Sequence, residues 1–470
     1  MATDVDVIII GSGLAGHCAA LEAAKAGAKI LIVDSEDQVG GSSKLSTGMM
    51  MAAGTRFQRE RGIEDDPALL YRHYVTANQW LVQPSVAHRL CYDAAETLEW
   101  MNDLGVEVID VINAGEEDRA RGHVTHGGAA IIEALSGQLG QFDNVDIALR
   151  TRVDRLVQKN GKVIGIAVGD DTITAGATIV ATGGMAANHD LLEKWMPGVL
   201  DQANGPLYHQ NTTWARGDAI GWAQQVGAQI LSGLGSRAPA WAFGGGYAPG
   251  FVMVVNRLGR RFYNEYESYG ASEVAFLNQP GTIGYMIFDE ATKQAMQKPS
   301  DVLPYMRVML PETDYLLNNW TSGTLDDYVA SGELLKADTV EGLAQLLTIP
   351  AANLAGAVTR YNQAVEAGED FDYLKPGHLL RPVSTPPYYG TVVKLPLLAL
   401  TAIGMRTDHE ACVIHENSLP IPGLYAAGEC VGGVLGSIYV GSGNSVANCA
   451  VYGRVAGRNA AKYAAGGGSA

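Results

Sequence analysis

Residues 11–16 read Gly11-Ser12-Gly13-Leu14-Ala15-Gly16, a G-x-G-x-x-G, and Asp34 follows Gly11 by 23 residues. Glycines at this spacing permit a tight turn, close approach of a pyrophosphate to the backbone, and close helix–strand packing. Amides at the start of the following helix attract phosphate, and an acid at the end of the next strand accepts from ribose hydroxyls. The elements needed to hold them are legible. Residues 5–10, five of them Val or Ile, predict a buried strand; His17 to Lys25 predicts a helix stopped by Gly27; Lys29 to Val33 predicts a second strand. A bound dinucleotide follows.

Directly after the acid comes a second glycine/serine loop, Gly40-Gly41-Ser42-Ser43 and then Ser46-Thr47-Gly48. It resembles the flavoprotein pattern in which this loop holds the pyrophosphate and flavin. Two later turns after strands agree with it, Ala181-Thr182-Gly183 and Gly423 to Glu429. The resemblance implies FAD, with Glu429 on the ribityl chain and with Asn444 and Ser445 at the flavin's pyrimidine end. Ala15, Ser35, Val153, Asp218 and Val446 complete the cofactor set. No histidine lies between Gly40 and Gly48, so the flavin is expected to be non-covalent.

Composition bounds the rest. The chain has 470 residues, 47% hydrophobic and 18% charged, which suits a large packed core and not disorder. Its formal net charge of −17 gives no support to a nucleic-acid or anionic-membrane surface. Five dispersed cysteines without a CxxC pair predict neither a disulfide framework nor a metal site, and fit a reducing, cytoplasmic setting. No signal peptide and no apolar run of about 20 residues is visible.

The predicted fold is α/β: a Rossmann-type, glutathione-reductase-like FAD-binding domain with an inserted α+β cap domain. The expected boundaries are 1–236 and 390–465 for the FAD domain, 237–389 for the cap, and 466–470 for a flexible tail. A capping pattern at Asp338 and Glu341 and helical spacing of Leu343, Leu346, Leu347, Leu354, Val358 and Tyr361 predict a helical stretch from Asp338 to Ala367. Pro382, Pro386 and Pro387 mark the return linker.

With the fingerprint, three further segments carry a family resemblance: Leu258 to Glu265, the stretch containing Arg360-Tyr361-Asn362, and Gly443-Asn444-Ser445 through Tyr452-Gly453-Arg454. The chain resembles, end to end, the fumarate reductase and 3-ketosteroid dehydrogenase superfamily. Soluble fumarate reductases carry an Arg five residues after the Asn of the Arg-Phe-x-Asn-Glu motif; here that position is Tyr269. They also carry a His before a Gly-Gly turn and an Arg before the late Gly-x-Asn. Ala399 to Met405 has no His, and Val431 to Gly453 has no Lys, Arg or His. A dicarboxylate is therefore a poor substrate.

Tyr269, and Tyr439-Val440-Gly441-Ser442-Gly443 with Tyr452 13 residues beyond Tyr439, resemble the ketosteroid 1-dehydrogenases. The resemblance implies Tyr269 as the base that takes an α-proton, and the Tyr439 hydroxyl and Gly443 N–H as oxyanion donors. Tyr71, Tyr74 and Tyr92 are candidates for an assisting tyrosine. The substrate is then a small-molecule cyclic ketone, with an external electron acceptor. A smaller carboxylated ring, such as a 4-oxocyclohexanecarboxylate, would need an Arg partner, for which Arg121 and Arg237 stand as candidates. An enone or fumarate-type reductase and a non-catalytic flavin binder are the rivals. His123 and His126 read as flavin-domain loop or solvated residues, and Trp100, Trp241 and Phe243 as core or pocket lining.

Overall fold

Val5–Ile10 forms strand β1, in which Ile8 and Ile9 have no solvent exposure. Burial on both faces is what a parallel sheet covered by helices demands. In this computed structural model the described residues are 3–113, 119–233, 235–241, 246–247, 249–267, 269–295 and 320–466, without the side chains of Trp241, Tyr247 and Tyr269. Gly244, Gly245, Phe243 and residues 467–470 of the expected tail lie outside the described residues.

The chain divides into two units. The first comprises Met1–Pro197, His209–Ser236 and Ala399–Ala470. From β1 the chain passes through helix α1 (Leu14–Lys25) into β2 (Ile30–Val33), parallel to β1. The sheet adds β3 (Val145–Ala148), β4 (Asp171–Val180), β5 (Cys412–Ile414) and β6 (Pro420–Ala426) in the order β5-β6-β4-β1-β2-β3. All these pairings are parallel except β5 with β6. Helices α2 (Pro67–Ala77) and α3 (Pro84–Asp103) each begin on a proline, which suits the first turn, where no backbone donor is needed.

Helix α4 (Asn444–Ala464) lies directly on α1. A Cβ at Gly453 would sit 2.5 Å from the Ala15 carbonyl oxygen, and one at Gly457 would sit 2.2 Å from that of Ala19. Two glycines one turn apart thus let the helices meet backbone to backbone. Arg454 fastens the contact through Glu22 at 2.7 Å and Thr97 at 3.0 Å, with its guanidinium 4.5 Å from the Trp100 ring centroid. Trp100 is accordingly helix packing.

The second unit comprises Gly198–Tyr208 and Arg237–Leu398. The long strand Tyr388–Leu400, all but its last two residues in this unit, pairs antiparallel with Gly284–Asp289, which in turn pairs with Met253–Val255. This strand runs through 389–390, the expected boundary between cap and FAD domain, and begins directly after the prolines of the expected linker. The stretch 338–367 is two helices, Val340–Leu347 and Ala351–Ala367. Thr348 adopts φ 58° and Pro350 cannot continue a helix, so the chain breaks between them. The cap of the first helix is Thr339, whose hydroxyl accepts the Gly342 N–H at 3.0 Å, in place of the expected Asp338.

Within this unit the Arg-Phe-x-Asn-Glu segment builds a buried charge cluster. Arg261 contacts Glu265 and Asp370, each at 2.8 Å, between the rings of Tyr361 and Tyr373. Lys375, fully buried, donates to the Val252 carbonyl at 2.7 Å and lies 3.3 Å from Glu265. Burial alone would raise the Glu265 carboxyl, but Lys375 and Arg261 hold it below the usual range.

Candidate active site

The fingerprint glycines differ in what they require. Gly11 adopts φ +106°, and a Cβ there would lie 2.4 Å from the Ala181 carbonyl oxygen; one at Gly16 would lie 2.0 Å from that of Gly11. Both must be glycine for the protein's own sake. Gly13 is different: its φ is −68°, which any residue adopts, and the nearest atom to a Cβ would be Ser43 Oγ at 3.5 Å. Gly41 and Gly183 also open onto space, with a nearest neighbour at 3.9 Å and none within 4 Å respectively. Beside them Thr182 Oγ1 is buried without a hydrogen-bond partner. A cradle of three glycines with an orphaned hydroxyl fits a ligand that brings its own oxygens.

Neighbouring groups are already oriented. Ser43 Oγ accepts the Leu14 N–H at 3.1 Å, which ties the second loop to the start of α1. The Ser42 hydroxyl accepts the Thr212 N–H at 3.1 Å, and that of Ser46 donates to the Ser43 carbonyl at 2.8 Å. Gly48 backs onto Gly127, while Thr47 is exposed. Asp34 accepts the Ser12 N–H and hydroxyl on Oδ2, at 2.7 and 2.6 Å, and the Glu36 N–H on Oδ1 at 2.9 Å. Ser35 is half-buried and Val153 buried; Asp218 starts a helix and pairs with Arg152 at 2.9 Å.

Glu429 accepts the Thr401 N–H at 2.7 Å and hydroxyl at 3.0 Å, both on Oε1. Burial pushes its carboxyl up to about 7. A Cβ at Gly184 would strike the same oxygen at 2.2 Å.

Tyr439 is buried, and its hydroxyl oxygen accepts the Ser445 N–H at 3.1 Å. Burial pushes the phenol up to about 12, with the Ser445 N–H acting against the shift. Gly443 caps α4 at φ 97°; a Cβ there would lie 2.6 Å from the Met51 nitrogen, a packing reason for glycine that the sequence did not reveal. Asn444 donates to the Gly441 carbonyl at 3.0 Å, and Val446 is half-buried. Tyr269 opens the helix Tyr269–Leu277 in the second unit, and its side chain lies outside the described ones.

Several residues are accounted for elsewhere. Arg121 pairs with Asp65 through two contacts, 2.6 and 2.8 Å, both side chains buried. Arg237 pairs with Glu273 at 2.6 Å and donates to Gln202 at 2.7 Å. The His123 ring nitrogens meet Thr55 Oγ1 and the Arg121 carbonyl, and burial lowers this imidazole to about 4. His126 is exposed beside Glu107. Tyr92 stacks on His88, Tyr71 reaches the Pro84 carbonyl, and Tyr74, buried, donates to the Val434 carbonyl at 3.0 Å. Among the described residues no group of three potential ligands could hold a metal ion, and no helix is long and apolar enough to cross a membrane.

The partners Ser12, Thr401, Asp65 and Glu273 were not singled out from the sequence. Only Ser12 had a local signal, its place inside the fingerprint.

This cradle and sheet define a mixed α/β flavoprotein. The chain belongs to the FAD binding domain family, whose profile matches residues 6–446, within the fumarate reductase/succinate dehydrogenase superfamily. It is an FAD-dependent oxidoreductase acting on CH–CH groups. It is 30% identical to a fumarate reductase (cytochrome) of Shewanella frigidimarina over 98% of this chain and 77% of that protein. It is 28% identical to a urocanate reductase of Eggerthella lenta, covering 99% and 76%. The fold matches 3-ketosteroid-Δ4-(5α)-dehydrogenase from Rhodococcus jostii RHA1, with TM-score 0.81, 24% identity and 98% of each chain covered.

Proposed function

We propose that this enzyme desaturates a ring ketone next to its carbonyl, in the manner of a 3-ketosteroid 1-dehydrogenase. One observation carries the reading. The Tyr439 oxygen accepts the Ser445 N–H, so its own proton is the group left to offer a carbonyl oxygen. FAD, when bound, supplies the acceptor for the hydride that leaves the β-carbon. Tyr269 takes the α-proton, the C–H electrons become the new C=C bond, and Tyr439 stabilises the charge growing on the ketone oxygen. The electrons leave to an external acceptor. In this reading 1–236 and 390–465 form a Rossmann-type FAD domain, 237–389 forms the cap, and the flavin is held without a covalent bond.

Charge supports a neutral substrate. Arg121 and Arg237, the candidates for a substrate carboxylate, are each committed to a buried carboxylate of the protein. Redirecting either would strand Asp65 or Glu273 as a buried unpaired charge. The carboxylated small ring therefore ranks below the steroid. The second reading is an enone reductase, favoured by the reductase names of the relatives.

Anaerobic mixing of the holoprotein with a saturated 3-ketosteroid tests this. Bleaching of the oxidised flavin is expected. No bleaching by any ring ketone, together with reoxidation of the reduced flavin by fumarate, sinks the proposal.

A further inference from the structure

The turn between α2 and α3 is strained and exposed. Gln79 and Trp80 adopt φ 50° and 63°, two consecutive non-glycine residues in the left-handed region. That conformation is uncommon for any side chain and an outlier for a bulky one. Trp80 is 65% exposed and Leu81 62%, the sole consecutive pair among the exposed large hydrophobic side chains described. Single exposed apolar residues are ordinary; an exposed apolar pair at the end of a strained turn calls for a use.

The turn is stitched to the segment that ends on Tyr439. The Gln83 N–H donates to the Gly433 carbonyl at 3.0 Å, and the Ile438 N–H donates to Asn78 Oδ1 at 2.8 Å. Ser437 Oγ lies 3.5 Å from the Leu81 carbonyl oxygen, and Tyr74 donates to the Val434 carbonyl at 3.0 Å. A Cβ at Gly436 would fall 2.1 Å from Asn78 Oδ1, so turn and segment touch. The turn carrying Trp80 and the segment leading to Tyr439 are therefore joined by hydrogen bonds and direct contact.

We propose that Trp80 and Leu81 are specificity-determining residues, an apolar rim that receives the body of a polycyclic ketone beyond the ring held by Tyr439. This rests on the ring-ketone reading above and narrows it, because a single small ring has no such body. Burial of an apolar body against a tryptophan is a typical source of binding energy.

The test is binding to the FAD-loaded protein, followed by perturbation of the flavin spectrum, with 4-androstene-3,17-dione and 2-cyclohexen-1-one as probes. Trp80→Gly removes the ring and accepts φ 63° without strain, so its melting temperature is expected not to fall. Its Kd for the steroid should rise about tenfold or more, and that for cyclohexenone by less than about twofold. Leu81→Ser should change both in the same direction, with a smaller steroid effect. Equal changes for both ketones, or none, overturn the rim. A wild-type protein that binds cyclohexenone but not the steroid overturns the rim and keeps the ring-ketone reading; one that binds neither overturns both.

Discussion

The hydroxyl of Tyr439 and the backbone N–H of Ser445 lie 3.1 Å apart, the first residues of α4 holding the tyrosine by its oxygen. The direction of that bond matters more than its length. A phenol that accepts from a helix start has its proton to give, and burial, which pushes it up to about 12, keeps the proton in place near neutral pH.

Tyr439→Phe deletes the donor and leaves the ring. Flavin reduction by a ring ketone should slow by about 10²–10³-fold, with weaker ketone binding and unchanged FAD content. Stopped-flow measurement of the reductive half-reaction checks this.

Tyr269→Phe removes the proposed proton acceptor. Reduction should fall by about 10²–10⁴-fold while ketone binding holds. Near-wild-type flavin reduction would send the search for the base to another residue.

Gly13→Val should separate cofactor binding from folding. A Cβ there meets Ser43 Oγ only at 3.5 Å, an ordinary contact, so the melting temperature of the apoprotein should fall far less than FAD affinity. FAD affinity, measured by fluorescence titration, should collapse, because the valine fills the space meant for phosphate. FAD released on acid denaturation of the wild type would agree with a non-covalent site.

Glu429 gives the apoprotein a pH dependence. Its ordinary value is 4.5, and burial raises it to about 7. Between these values the folded chain keeps a proton that the unfolded chain has released, so stability falls as pH rises across the window. Below about 4.5 the contribution is fully present; above about 7 it is gone. Denaturant melts across this range should show the stability of wild type relative to Glu429→Gln falling as pH rises; buried His123, lowered to about 4, acts with the opposite sign in both proteins and cancels in the difference.

Arg261→Ala breaks the charge cluster of the second unit and should cost about 3–5 kcal/mol by chemical denaturation, since Glu265 and Asp370 lose their shared partner. FAD content should change far less than stability.

What could be read from the sequence was local. The Val5–Ile10 strand, the fingerprint and the turn at Ala181-Thr182-Gly183 declare themselves within a few residues, because period, turn chemistry and backbone freedom are short-range properties. What could not be read was pairing at a distance. Asp65 meets Arg121 across 56 residues, and Asp370 meets Arg261 across 109. No spacing rule announces such partners, so Arg121 and Arg237 remained available to a substrate until the fold assigned them. The Asp338–Ala367 stretch is helical as expected, but the break at Thr348–Pro350 was not legible, because apolar spacing continues in phase across it while the backbone does not.

The glycine contact between α1 and α4 also sets a schedule. Gly453 and Gly457 must settle on Ala15 and Ala19, residues made more than 400 positions earlier. On the ribosome the N-terminal segment therefore waits, its apolar helix face uncovered, until nearly all the chain described here has been made. Most of the second unit, Arg237–Leu398, is contiguous and emerges complete before then. Synthesis thus finishes the insert first and the nucleotide cradle last, and a nascent chain arrested before α4 would expose the α1 face to chaperones.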